Sequence, residues 1–322
     1  MSVEVVIPAY NNQSTIGDTL KALEIQSFYS FKTIVVDDGS TDETAEVVER
    51  FKKKSKISVK LIKQKNKGPA TARNQGAEEA KSEIIVFLDA DCKPRKNWLA
   101  EMIKPFDNEG VVGVQGTYET WNKHFLIARY VGYEIDYRHE GMKKQEKIDF
   151  VGSFSAAYKR KIFLDEKGFD TSFRTAASED QELAARLYKK GYKLVFNPEA
   201  VVAHRHPERL KSYLQQQFWR GYWRIPVYLR HKDMLAEDKY TGKGLVTQGF
   251  LSTIFFLGVL ILKIPLLIIA FSLLFLTNIP LGFYCSRKEL KFILLGPIIA
   301  SLRSLSGTLG AGYGIARYRL LR

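Results

Sequence analysis

The chain has 322 residues, 45% of them apolar, with two cysteines and a formal charge of +14. That length supplies one large domain or two modest ones that need no disulfide or metal staple, and the composition excludes fibrous, disordered and disulfide-framed classes. The charge is uneven: residues 245–322 hold eight basic side chains and one acidic one, Glu289, so a charged N-terminal part joins a sparsely charged, apolar tail.

Cys92 and Cys285 lie far apart in the chain and show no zinc spacing, which fits a reducing compartment. The apolar run from Val3 reads as a first strand rather than a leader. Strand and helix signals then alternate. Residues 3–7 predict a strand, 14–25 a helix with Ile16, Leu20 and Leu23 on one face, and 31–36 a second strand. That strand ends in Asp37-Asp38-Gly39-Ser40, and the polar residues 41–44 offer caps for a helix to about residue 54. A strand at 57–62, a helix of small residues at 70–80 and a strand at 84–88 follow, the last delivering Asp89-Ala90-Asp91. This alternation predicts an α/β fold with a mostly parallel sheet.

Such sheets bind ligands beyond the carboxyl ends of their strands. Pro8-Ala9-Tyr10-Asn11, Asp37-Asp38 and Asp89-Ala90-Asp91 therefore share one expected crevice. Further on, strands are expected at 111–115, 154–158, 192–196 and 199–204, with helices at 123–137 and 179–190, the last closed by Gly191.

Residues 207–231 interleave Arg209, Lys211, Arg220, Arg224 and Arg230 with Tyr213, Phe218, Trp219, Tyr222, Trp223 and Tyr228. Tyr and Trp favour the lipid headgroup level, and Lys and Arg reach anionic lipid. A solvated helix is the plainer alternative. No nucleic-acid partner is expected, because the neighbouring apolar tail already accounts for this composition. Residues 245–262 contain 12 apolar side chains in 18 and residues 264–284 contain 15 in 21, both without charge. With 292–311, broken by Arg303 and softened by Gly296, Pro297, Gly307 and Gly310, they make three candidate membrane spans. The expected organisation is a catalytic domain over 1–206, an interfacial and linking segment over 207–244, and a transmembrane region over 245–322. Three spans from a cytoplasmic domain would leave Arg317, Arg319 and Arg322 outside, against the positive-inside tendency.

The acidic clusters carry the chemistry. Asp89 and Asp91 close an apolar strand, and paired carboxylates there suit a hard divalent cation on a diphosphate, although turn residues often look the same. Glu179-Asp180 opens a helix, where the dipole favours negative charge; capping alone would also explain it. His204 and His206, two apart, could offer an imidazole to a metal. A P-loop, a dinucleotide fingerprint and a serine nucleophile elbow are all missing from the sequence.

Five motifs in order, Val5-Val6-Ile7-Pro8-Ala9-Tyr10-Asn11, Val35-Val36-Asp37-Asp38-Gly39-Ser40-Thr41-Asp42, Gly68-Pro69-Ala70-Thr71-Ala72-Arg73-Asn74, Leu88-Asp89-Ala90-Asp91 and Ser178-Glu179-Asp180-Gln181-Glu182-Leu183, resemble family 2 glycosyltransferases, inverting enzymes of GT-A fold. The tail is similar to relatives that act on polyprenyl- or dolichyl-linked acceptors. The resemblance implies a donor pocket of Pro8, Ala9, Tyr10, Asn11, Asp37, Asp38, Lys67, Arg73, Asn74, Asp89 and Ala90. It implies Asp91 and His206, or else His204, as ligands of Mn²⁺ or Mg²⁺, and Asp180 as catalytic base beside Glu179. Ser153 would border the acceptor, with Gln217, Trp219, Arg220, Trp223 and Arg224 near the membrane. Gln217-Phe218-Trp219-Arg220-Gly221 departs from the Gln-x-x-Arg-Trp element of processive synthases. The expected protein is therefore a multi-pass plasma-membrane enzyme with a cytoplasmic catalytic domain. It would move one sugar from a nucleotide-diphosphate sugar, a UDP-sugar first, to an isoprenoid-linked saccharide. A polyprenyl-phosphate sugar synthase and an inactive membrane scaffold are the alternatives.

Overall fold

β1 (Val3–Ala9) is buried along nearly its whole length, as a central strand covered on both faces must be. It belongs to a computed structural model that describes residues 1–173, 178–231 and 244–320; residues 232–243 of the expected interfacial and linking segment, and Arg322, lie outside the described residues. After β1 come α1 (Ile16–Glu24), β2 (Phe31–Asp37), α2 (Thr44–Lys52), β3 (Ser58–Lys63), α3 (Pro69–Glu79) and β4 (Ile84–Leu88). The chain continues through β5 (Cys92–Pro94), α4 (Trp98–Ile103), β6 (Val111–Thr120), α5 (Leu126–Met142), β7 (Ser155–Lys159), α6 (Arg160–Asp165), α7 (Glu179–Lys189) and β8 (Lys193–His204). α8 (Leu210–Arg230), α9 (Gly244–Leu260), α10 (Ile264–Thr277), α11 (Ile279–Ser286) and α12 (Phe292–Leu320) complete the described elements.

Among the described residues the strands form one sheet in the order β3-β2-β1-β4-β7-β6-β8-β5. β1 pairs in parallel with β2 and β4, and β2 with β3, so the polar ends of β1, β2 and β4 lie along one edge. β7 runs antiparallel to both β4 and β6, β6 is parallel to β8, and β5 is antiparallel to β8. The sheet is thus mixed, with a parallel half that matches the expectation. β8 is one strand where two short ones are expected: its register against β6 jumps between Gln115↔Phe196 and Thr117↔Val201, so residues 197–200, Asn197 and Pro198 among them, leave the ladder as an irregularity opposite Gly116. The core gathers Val5, Ile7, Leu20, Val35, Val86, Leu88, Trp98 and Val114, each 0% exposed.

The chain divides into two units. The first comprises residues 1–121 and 142–205, and the second 122–141 and 206–322. Within the second unit α8 and α12 approach at their glycines: a Cβ on Gly310 would stand 1.9 Å from the Phe218 carbonyl oxygen, and one on Gly221 2.0 Å from that of Gly307. Arg303 on α12 pairs with the buried Glu134 of α5, which also accepts a 2.6 Å hydrogen bond from the Tyr213 hydroxyl. Among the described residues one helix, over Phe292–Tyr318, is long and apolar enough to cross a membrane, or two if α10 and α11, bent by 48° at their junction, count as one span; the apolar stretch Val246–Leu260 is shorter.

Candidate active site

The first unit assembles its site from loops at the carboxyl ends of its strands. After β1 the backbone turns at Asn11, which adopts φ 54, a left-handed conformation that Asn tolerates better than most residues. Asn11 Oδ1 accepts a 2.8 Å hydrogen bond from the Thr41 N–H, and the Asn11 backbone N–H donates to Ser40 Oγ at 3.0 Å. The first two polar clusters are therefore one structure. Tyr10 is exposed and Pro8 half-buried, while Ala9 is buried and its carbonyl accepts from the Asp38 N–H at 2.8 Å.

Asp37 and Asp38 are both buried. Asp37 Oδ1 accepts from the Ser40 N–H at 3.1 Å. Asp38 accepts from Gln64 Nε2 at 2.6 Å and from the N–H groups of Lys67 and Gly68 at 2.9 Å each, so it shapes the loop that leads into α3. Gly68 sits at φ 93, a region that glycine alone enters at little cost, and Pro69 then starts the helix. Lys67 is exposed at the rim of this loop. Asn74 ties α3 to residues after α6 by a reciprocal pair, Nδ2 donating to the Phe169 carbonyl at 2.7 Å and Oδ1 accepting its N–H at 2.9 Å.

Arg73 is the hub. It is 2% exposed, donates from Nη2 to Asp89 Oδ1 at 2.8 Å and from Nη1 to Glu179 Oε1 at 2.8 Å. Burial works against its charge, but Asp89 and Glu179 outweigh that and hold it protonated. The end of β4 and the start of α7 thus meet on one guanidinium. Beside Glu179, Asp180 Oδ2 accepts a long hydrogen bond from the Ser153 N–H at 3.4 Å, and the Phe154 carbonyl accepts from the Asp89 N–H at 3.2 Å. Burial, then the charge of Glu179, raise the Asp180 carboxyl from 3.8 to about 7, with Arg73 opposing them. The dipole of α7, expected to keep Asp180 ionised, is outweighed by these two effects.

Asp91 points elsewhere. Its Oδ1 lies 3.7 Å from His204 Nε2 and 3.9 Å from Cys92 Sγ, and one ligand atom from each of the three falls within 4.8 Å of the others. Burial pushes the Asp91 carboxyl up; His204 opposes this and Asp89 adds to it. A carboxylate oxygen facing an imidazole nitrogen fits a divalent cation of the Mn²⁺ type. Ala90, between the two aspartates, is buried, and its carbonyl accepts from Thr19 Oγ1 at 2.9 Å, which fixes the turn.

Glu179, Asp180, Ser153, Arg73 and Asp89 are therefore brought together, and Asp91 meets His204. His206 is buried in the second unit, where its N–H donates to Asn122 Oδ1 at 3.0 Å. Gln217, Trp219, Arg220, Trp223 and Arg224 all lie on α8 of that unit, Trp219 and Arg220 exposed and the others half-buried. Sequence reading gave Cys92 no place at the site and did not single out Tyr118, which stacks on Phe154 with ring centroids 3.5 Å apart.

Residues 4–165 match the family described as Glycosyl transferase family 2. The chain is 30% identical over 231 residues to the O-antigen chain rhamnosyltransferase RfbN of Salmonella typhimurium, covering 69% of this chain and 72% of that one. The chain belongs to glycosyl transferase family 2. It is also 29% identical over 260 residues to the pre-mycofactocin glycosyltransferase of Mycobacterium tuberculosis, covering 78% of this chain but 52% of that protein, so it spans about half the length of that relative. Among solved structures, the mannosyltransferase PcManGT of Pyrobaculum calidifontis, in complex with GDP-Man and Mn²⁺, superposes with a TM-score of 0.65 at 20% identity over 94% of this chain and 86% of that one. That likeness gives the fold: a mixed α/β GT-A-like sheet. In the first unit Asp37 closes β2, with Asp38 next to it, and Asp89 follows the end of β4, so these carboxylates stand at the ends of its parallel strands.

Proposed function

We propose that the protein is an inverting, divalent-metal-dependent glycosyltransferase bound to the plasma membrane, with its catalytic unit in the cytoplasm. It moves one sugar from a nucleotide-diphosphate sugar, a UDP-sugar first among candidates, to a polyprenyl- or dolichyl-linked saccharide. The observation that carries this reading is Arg73, which joins Asp89 on the donor side to Glu179, the neighbour of Asp180, on the acceptor side.

Asp180 is the base. It takes the proton of an acceptor hydroxyl while the new glycosidic bond forms on one face of the anomeric carbon and the bond to the diphosphate breaks on the other. Configuration inverts in that single displacement, and general-base assistance contributes about 10²–10⁴ in rate. A divalent cation on Asp91 and His204 would supply Lewis-acid neutralisation of the leaving diphosphate. His204 is preferred to His206 for this role because of its 3.7 Å approach to Asp91. Tyr10 and Lys67, exposed at the rims of their loops, are candidates to receive the nucleotide. PcManGT, in its complex with GDP-Man and Mn²⁺, supports both the donor class and the metal.

The membrane reading rests on the second unit. Phe250, Leu257, Leu260, Leu262, Ile264 and Ile268 are among its large apolar side chains left more than half exposed, which a bilayer would cover. Trp219 and Arg220 on α8 suit the headgroup level. An O-antigen chain transferase among the relatives supports a growing glycan as acceptor.

The test is a radiolabelled donor screen on the full chain in detergent with Mn²⁺ or Mg²⁺, offering lipid-linked saccharide and bare polyprenyl phosphate in parallel. Transfer to the saccharide with inverted configuration, lost in Asp180→Asn, supports the proposal. Transfer to bare lipid phosphate alone selects the sugar-phosphate synthase reading. Turnover that survives in Asp180→Asn with donor binding intact excludes the base.

A further inference from the structure

Cys92 and His204 are directly opposed in the antiparallel β5–β8 pair, so their side chains leave the sheet on the same face. Asp91, one residue before Cys92, brings its Oδ1 to 3.9 Å from the sulfur and 3.7 Å from His204 Nε2. Donors held by one tetrahedral ion at about 2.0–2.3 Å stand about 3.3–3.6 Å apart, so these two separations are close to those of a bound site. The third is bounded at 4.8 Å.

We propose that Cys92 Sγ is a third donor beside Asp91 and His204, giving an oxygen, nitrogen and sulfur site that takes borderline and soft metals such as Zn²⁺, Co²⁺ and Cd²⁺ in preference to Mg²⁺. This rests on the reading of Asp91 and His204 as the metal pair. Mg²⁺ demands octahedral oxygen and gains nothing from sulfur, whereas thiolate is a preferred ligand of the softer ions. When such an ion binds, the S–H bond breaks, its proton passes to solvent, and the sulfur electron pair forms the metal bond. The Cys92 side chain is fully buried, while those of Asp91 and His204 are 36% and 19% exposed, so an ion enters past the carboxylate and meets the sulfur last. The site would therefore be blocked by trace Zn²⁺ or Cd²⁺ at concentrations where a purely carboxylate site is not.

Co²⁺ titrated into the full chain tests this by absorbance, without turnover. A thiolate-to-cobalt charge-transfer band in the near ultraviolet is expected, retained in Cys285→Ser and lost in Cys92→Ser. Zn²⁺ affinity, measured by competition with a chromophoric chelator, should fall at least about tenfold in Cys92→Ser, while Mn²⁺ affinity, read by electron paramagnetic resonance, stays nearly unchanged. Co²⁺ bound without the band, or a band that survives in Cys92→Ser, overturns the proposal. If Cys92→Ser does not fold, Cys285→Ser decides alone, because the chain has two cysteines: a persisting band belongs to Cys92, and a vanished one overturns the assignment. Co²⁺ binding undiminished in Asp91→Asn, by contrast, overturns the underlying metal pair as well.

Discussion

Arg73 and Glu179 stand 106 residues apart in the chain and meet at 2.8 Å, with both side chains almost wholly out of solvent. Removing one partner of a buried pair strands the other, which typically costs about 3–5 kcal/mol. Arg73→Met should fall in that range, because it orphans Glu179 and also frees Asp89 from its 2.8 Å bond. Glu179→Gln keeps the shape and one acceptor, so it should cost less. Urea midpoints at constant slope compare the two. Equal losses would mean that Arg73 acts by packing and not by charge.

In its proposed role as base, Asp180 ties activity and stability to pH with opposite signs. Its carboxyl titrates near 7 in the folded chain against 3.8 outside it, so the native state holds the extra proton between those values. Its contribution to stability is present below about 3.8 and is lost as pH rises through about 7. A base must be unprotonated to act, so transfer should rise over the same window. Asp180→Asn should stabilise the metal-free protein at pH 8 relative to wild type, change little at pH 4, and lose about 10²–10⁴ in rate. Unfolding curves at the two pH values and a kcat/KM profile check both signs. A variant that loses stability at pH 8 contradicts the placement.

The Arg73–Glu179 pair and Asp180 also mark where sequence stops informing. Val3 to Ile7 and Ile84 to Leu88 are legible because continuous apolar runs ending in polar turns need no partner to be recognised as buried strands. The acidic motifs were legible as residue types, but their joining through Arg73 depends on a contact that no local pattern encodes. Asn197-Pro198 reads as a break between strands, and only the β6 ladder shows that the chain steps around it. His204 and His206 share a face by strand alternation, so periodicity cannot choose between them; β8 stops at His204, and its partner Cys92 lies in a three-residue strand too short to recognise. The glycines of the last apolar segment look like helix softeners in sequence and prove to be contact points with α8.

Glu134 and Arg303 make a second buried pair, in the other unit. Burial alone would raise the Glu134 carboxyl; Arg303 and Arg138 outweigh it and bring the value down from 4.5 to about 2. Its contribution is therefore complete above about 4.5 and drains away as pH falls through about 2. Arg303→Met should destabilise the detergent-solubilised protein by about 3–5 kcal/mol, and adding Glu134→Leu should recover most of that loss. A double-mutant cycle read by thermal unfolding measures the coupling. Additive single and double variants would show that the pair is not coupled.

The α8–α12 contact gives the sharpest test of the second unit, because neighbouring glycines on one helix have opposite surroundings. A methyl group on Gly310 would fall 1.9 Å from the Phe218 carbonyl oxygen, and one on Gly221 2.0 Å from the Gly307 carbonyl oxygen. Both clashes are with backbone, which cannot rotate aside as a long side chain can. Two residues on, Gly312 has nothing within 4 Å of that position. Gly310→Ala should therefore push the helices apart and cost about 1–3 kcal/mol. Gly312→Ala meets no obstacle and should gain up to about 1 kcal/mol from helix propensity. Thermal unfolding of the two variants side by side separates packing from propensity, since each makes the same chemical change in the same helix. If both alanines stabilise, α8 and α12 do not touch through Gly310, and the close backbone approach described for the second unit is wrong.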